Sequence, residues 1–177
     1  MKAMLATTHL GEDFTGRLQG TFPDVRFVSA FTPEEQLREI ADTEVYIGWP
    51  SQEVFRAGKQ LKWIHCVGTG VDHVEALQDI AEAGVPLTNS LGPHAEPMGD
   101  HTMLFILSLA HQAPRLWEDQ KLRRWDTQSY AGRMCELSGS TMGIVGLGGI
   151  GRAVARRGLG FGMRVVASDP SPSGAPD

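Results

Sequence analysis

The chain has 177 residues, of which 41% are hydrophobic and 21% charged, and it carries a formal net charge of −5. That length holds one domain or two small ones with a buried core, and the balance is that of a folded globular protein rather than a disordered segment. An acidic chain lacks the concentrated basic face that nucleic-acid phosphates demand, so no nucleic-acid partner is expected.

Short apolar runs at residues 1–7, 25–29, 45–48, 63–67 and 86–89 are bounded by Gly, Pro, Ser or Thr and read as β-strands. Between the second and third, Thr32 caps a helix start, Pro33 suits the first helical position, and Glu35 completes a capping box. The fourth run contains Cys66, which behaves there as a small buried hydrophobe. Cys66 and Cys135 match no metal-ligand spacing, and no metal is expected. Residues 74–83 form an amphipathic helix that Gly84 and Pro86 end. Five strands alternating with helices imply a parallel sheet with helices on its faces. This α/β unit is assigned to residues 1–95.

Residues 91–97 break the composition with Gly92, Pro93 and Pro97, and read as a hinge. A helix over 96–112 follows. Its second half is apolar on most faces, which calls for burial between domains or at an oligomer interface. The longest apolar run, 103–107, is too short to span a bilayer, and no apolar leader opens the chain. No membrane partner and a cytoplasmic location are therefore expected. A second helix over 115–124 carries Lys121, Arg123 and Arg124 behind Glu118 and Asp119, which reads as a solvated face. After an irregular stretch to Gly139, residues 141–145 read as a strand, 150–159 as a helix and 164–168 as a strand. That is one βαβ unit within a second domain assigned to residues 96–177.

The turn of this unit, Gly146-Leu147-Gly148-Gly149-Ile150-Gly151, fits G-x-G-x-x-G. The pattern alone is weak. It is specific here because it follows a strand and opens a helix, and because Asp169 ends the next strand 18 residues beyond Gly151. Gly146 suits a tight turn, Gly148 lets the backbone approach a pyrophosphate, and Gly151 lets helix and strand pack closely. The N–H groups of Gly149 and Ile150, at the positive end of the helix dipole, are the expected phosphate donors. Asp169 is expected to accept from the adenosine ribose hydroxyls and to repel a 2′-phosphate, which favours NAD over NADP. FAD and S-adenosylmethionine sites share parts of the pattern, and a glycine turn can also serve packing alone.

Several segments in order resemble the D-isomer-specific 2-hydroxyacid dehydrogenases. They are Trp63 to Asp72, with Gly68 and Gly70; Glu96 to His101; Glu136 to Thr141 running into Gly143 and Gly146; Arg152 to Ala155; Gly162 to Val166; and Asp169-Pro170. Gly99-Asp100 stands where that family usually has Ala-Glu, and Ser140 where it usually has Lys. The resemblance implies a flavodoxin-like parallel-sheet substrate domain followed by an incomplete Rossmann NAD-binding domain. It implies an NAD-dependent oxidoreductase acting on a small 2-keto or 2-hydroxy acid, with a homodimer for the full-length form. The substrate carboxylate would rest on backbone N–H groups of Val67, Gly68 and Thr69. Trp49 would wall the same cleft or simply pack.

The family's chemistry also needs an Arg, a Glu and a His in the later part of the second domain. No His follows His111, and His65, His73, His94 and His101 read as structural or solvent-facing. No catalytic residue is assigned. The chain is expected to be a C-terminally truncated piece of a larger dehydrogenase, inactive and weak in NAD binding alone. The rival reading is a non-catalytic NAD-binding or dimerisation module of the same fold.

Overall fold

The computed structural model describes residues 1–8, 11, 13–72 and 74–171, and the chain divides into two compact units, Met1–Leu91 and Gly92–Asp177. In the first unit β1 (Lys2–Leu5), β2 (Arg26–Ser29), β3 (Val45–Ile47), β4 (Trp63–Cys66) and β5 (Leu87–Asn89) form one sheet. Every pairing is parallel, in the order β2-β1-β3-β4-β5. That is the flavodoxin-like order of a doubly wound sheet. The helices α1 (Phe14–Thr21), α2 (Pro33–Glu39), α3 (Gln52–Ala57) and α4 (Leu77–Ala83) connect the strands.

Register explains the core. Val28, Met4, Tyr46, Ile64 and Leu87 lie side by side across all five strands. Met4, Tyr46 and Ile64 are fully buried in one cluster with Ile40, Val54, Cys66 and Ile80. Full burial of one such aliphatic side chain contributes about 1.5–3 kcal/mol, so this row does much to hold the sheet to its helices. The Tyr46 hydroxyl donates to Gln36 Oε1 at 3.0 Å, and burial pushes both that hydroxyl and the Cys66 thiol up in pKa.

Local chemistry sets the helix ends. Thr32 Oγ1 accepts from Glu35 N, and the Glu35 carboxylate accepts from Thr32 N, so the expected capping box forms with Pro33 in the first turn. Ser51 caps α3 by accepting from Val54 N. Gly84 ends α4 in the left-handed conformation, φ +67°. The helix itself starts at Leu77 rather than at Val74. Val74 is buried, but in a turn in which its N–H donates to Val71 O and its carbonyl accepts from Leu77 N.

The second unit contains α5 (Ala95–Ala110), α6 (Ala113–Lys121), β6 (Thr141–Val145), α7 (Gly149–Gly160) and β7 (Arg164–Ser168). β6 and β7 pair in parallel, completing a βαβ unit. Met103 of α5, Met142 of β6 and Val154 of α7 form its core with Ile106, Leu137, Ile144, Met163 and Val165. α5 buries Gly99, Met103 and Ala110 but leaves Leu104, Phe105 and Leu109 exposed. Its burial is therefore one-sided. No described helix is long and apolar enough to cross a membrane.

Candidate functional site

The glycine turn joins β6 to α7, and its three motif glycines have separate physical causes. Gly146 has φ +92°, a conformation that costs an L side chain, and its N–H donates to Ser168 O at 2.8 Å. A β-carbon on Gly151 would stand 2.0 Å from Gly146 O, so the helix can lie this close to the turn only without a side chain there. Gly148 is different. It is the extended residue that precedes α7, and a β-carbon on it would meet no protein atom within 4 Å. Its bare backbone leaves open space that a ligand can approach.

The first bond into the helix body runs from Arg152 N to Gly148 O at 2.9 Å. The N–H groups of Gly149, Ile150 and Gly151 precede it and have no partner inside the helix. Gly148 supplies no side-chain cap and the first turn holds no acidic residue, so the positive end of α7 keeps its charge for an external anion.

Asp169 follows β7 and reaches back to the turn. Its Oδ2 accepts from Leu147 N at 2.6 Å and its Oδ1 from Ser171 N at 2.8 Å. The Ser171 and Leu147 N–H groups, in that order, hold its carboxyl below the usual carboxylate range, and the Arg152 charge adds to the effect. Each carboxylate oxygen still has a lone pair to spare for a hydroxyl. The charge of Arg152 beside Asp169 is a feature that motif reading missed. Along β6, a groove of about 360 Å³ lined by Thr102, Ile106, Ile144, Ile150 and Val154 runs to the turn. Among the described residues β6 pairs with β7 alone.

In the first unit, residues 67–70 leave the end of β4. Gly68 O accepts from Ser90 N at 3.0 Å, and Thr69 O accepts from Asn89 Nδ2 at 2.7 Å. A trans peptide points its N–H opposite to its C=O, and the chain has no cis peptide bond among the described residues. Two successive carbonyls turned to β5 therefore turn the N–H groups of Thr69 and Gly70 together away from it. Successive N–H groups on one side form a concavity suited to an anion. Trp49 packs beneath: a β-carbon on Gly68 would stand 3.2 Å from Trp49 Cζ2. Asn89 and Ser90 carried no motif signal, because their partners lie some twenty residues earlier in the chain.

The nine residues expected to bind ligands thus fall into two groups. Gly146, Gly148, Gly149, Ile150, Gly151 and Asp169 come together at one turn, and Val67, Gly68 and Thr69 form one loop of the other unit. His65 is engaged on both nitrogens, with Thr88 Oγ1 at 2.9 Å and Ser90 Oγ at 3.2 Å. His101 packs edge-on against Phe105, ring centroids 4.4 Å apart, and His73 lies outside the described residues. No group of three His, Cys, Asp or Glu side chains could hold a metal ion among the described residues.

Residues 103–176 match the family model for the NAD binding domain of D-isomer specific 2-hydroxyacid dehydrogenases. Hydroxypyruvate reductase of Thermotoga maritima is 34% identical over 119 residues, 67% of this chain and 38% of that protein. D-3-phosphoglycerate dehydrogenase of Methanocaldococcus jannaschii is 30% identical over 174 residues, 96% of this chain and 32% of that protein. The chain thus spans about a third of the length of the curated relatives it matches. The crystal structure of D-lactate dehydrogenase from Aquifex aeolicus shares the fold, with TM-score 0.80 at 24% identity over 98% of this chain and 52% of that one. The bare Gly148, the uncapped start of α7 and the ionised Asp169 fit the dinucleotide that such a domain takes. The chain belongs to the D-isomer specific 2-hydroxyacid dehydrogenase family, whose cofactor is NAD.

Proposed function

We propose that this chain supplies the substrate unit and the dinucleotide turn of an NAD-dependent dehydrogenase that interconverts a small 2-keto acid and a D-2-hydroxy acid. The observation that carries this reading is the turn at Gly148, open to a ligand where the N-terminus of α7 lacks a cap. The N–H groups of Gly149 and Ile150 receive the pyrophosphate. Gly146 and Gly151 hold the turn to its shape, and Asp169 accepts from the ribose hydroxyls. NAD, when bound, carries the hydride. The loop over Val67, Gly68 and Thr69 takes the substrate carboxylate, and the orientation of its peptides sharpens the donors to the N–H groups of Thr69 and Gly70.

We assign the chain binding roles and no catalytic residue. His65 and His101 are held in contacts that build the fold, and the apolar groove along β6 suits a nucleotide domain that extends beyond two strands. A second reading, a dimerisation module of the same fold, is favoured by the exposed Leu104, Phe105 and Leu109 of α5. It is also favoured by a cavity of about 710 Å³ lined by Leu116, Trp125 and Met134. Under either reading the partner is a second copy.

Fluorescence titration of the chain with NADH and NADPH, followed by addition of glyoxylate, pyruvate or hydroxypyruvate, tests the proposal. Weak NADH binding, weaker NADPH binding and no oxidation above a heat-killed control are expected. Turnover well above that control would overturn the assignment of binding roles alone, and equal affinity for NADPH would overturn the role of Asp169.

A further inference from the structure

We propose that Asn89 is a positioning residue for the anion loop: by donating to the Thr69 carbonyl it fixes the peptide whose N–H, that of Gly70, faces the substrate carboxylate. The inference rests on the loop reading given under the proposed function. Strand register puts Asn89 beside Cys66, at the point where β4 gives way to the loop. From there its side chain reaches Thr69 O at 2.7 Å, while the next residue, Ser90, holds Gly68 O through its backbone N–H at 3.0 Å. Any residue except proline supplies the backbone bond. The side-chain bond needs a donor of this length, and a Leu of similar size or an ionised Asp has none.

The two bonds are not equivalent for ligand binding. The Ser90 bond continues the β4–β5 pairing and orients the Thr69 N–H. The Asn89 bond turns the following carbonyl to the same side, where an extended backbone would alternate, and so brings the Gly70 N–H next to that of Thr69. Without it the peptide between Thr69 and Gly70 is free to rotate and the two N–H groups no longer converge. His65 steadies the same end of β5, since its Nε2 lies 3.2 Å from Ser90 Oγ and its Nδ1 2.9 Å from Thr88 Oγ1.

The test is amide NMR on the 177-residue chain with pyruvate as the probe, for the unaltered protein and Asn89→Leu. In the unaltered protein pyruvate is expected to shift the Thr69 and Gly70 amides, and to shift one Asn89 side-chain amide proton with the same midpoint. In Asn89→Leu the pyruvate midpoint is expected to rise by between about two- and tenfold, the worth of one such hydrogen bond. Core amides distant from the loop should keep their exchange protection. Unchanged pyruvate affinity in Asn89→Leu, or an Asn89 side-chain amide that does not move with the Gly70 amide, overturns the role of Asn89 and leaves the loop reading standing. The second of these results needs no variant. Absence of any shift at Thr69 and Gly70 in the unaltered protein overturns the loop reading, and this inference with it.

Discussion

The Arg157 guanidinium of α7 lies across Gly99 of α5, its Nη1 2.7 Å from the position a β-carbon on Gly99 would take. From there Arg157 donates to Asp100 Oδ1 at 2.7 Å through Nε and to Glu96 O at 3.1 Å through Nη2. Arg156 pairs with the Glu96 carboxylate beside it. Both residues of the Gly99-Asp100 pair meet Arg157. The bare Gly99 backbone makes room for the guanidinium, and the Asp100 carboxylate meets it.

Gly99→Ala should be close to neutral. The new methyl meets the far end of a flexible side chain, which can swing away. Helix propensity gains about 1 kcal/mol, against exposed ion pairs worth about 0–1 kcal/mol. Denaturant unfolding should show a change smaller than about 1 kcal/mol. A loss of several kcal/mol would mean that Arg157 cannot move.

Gly151→Ala should behave in the opposite way, because its neighbour is the Gly146 carbonyl, which is backbone. Overpacking of this kind costs about 1–3 kcal/mol or more, and the unfolding midpoint of the second unit should fall accordingly. Gly146→Ala should lose about 1–2 kcal/mol through its positive φ alone.

Gly68→Ala brings a methyl to 3.2 Å from the Trp49 ring and should destabilise the first unit by about 1–3 kcal/mol. If the ring is the cause, Trp49→Phe should restore part of that loss in the double variant, which a double-mutant cycle measures. Strict additivity would place the strain elsewhere.

The Asp169 carboxyl has a folded pKa lowered by the Ser171 and Leu147 N–H groups. A lowered folded pKa gives stability that is fully present above the unfolded value, near 3.9, and is lost as pH falls through the folded value. The Leu147 amide shift should therefore titrate with a midpoint below about 3.9, and Asp169→Asn should abolish that titration. A midpoint at or above the ordinary carboxylate value would contradict the bonding described.

Features made by near neighbours in the chain were legible before the structure was. The capping box of Thr32 and Glu35 closes within four residues, and the demands on Gly146 and Gly151 follow from one tight turn. α1 left no signal because it holds Gly16 and Gly20 and buries no residue. Val74 misled because it is apolar and buried without being helical. The apolar second half of α5 pointed to burial between domains or at an oligomer interface; within its own unit one face is covered, and Leu104, Phe105 and Leu109 lie exposed. The clamps from Asn89 and Ser90 onto the loop, and from Asp169 onto Leu147, depend on strand register and so were invisible in spacing alone.

The most direct test of the central claim is an amide NMR titration of the 177-residue chain with millimolar NAD, run beside Gly148→Ala. That substitution meets no protein atom within 4 Å and should leave the fold intact. Saturable shifts confined to Gly148, Gly149, Ile150, Gly151 and the Asp169 region, lost in Gly148→Ala while its unfolding midpoint is unchanged, are the predicted result. Shifts of equal size and midpoint in Gly148→Ala, or none at this turn in the unaltered chain, would contradict it.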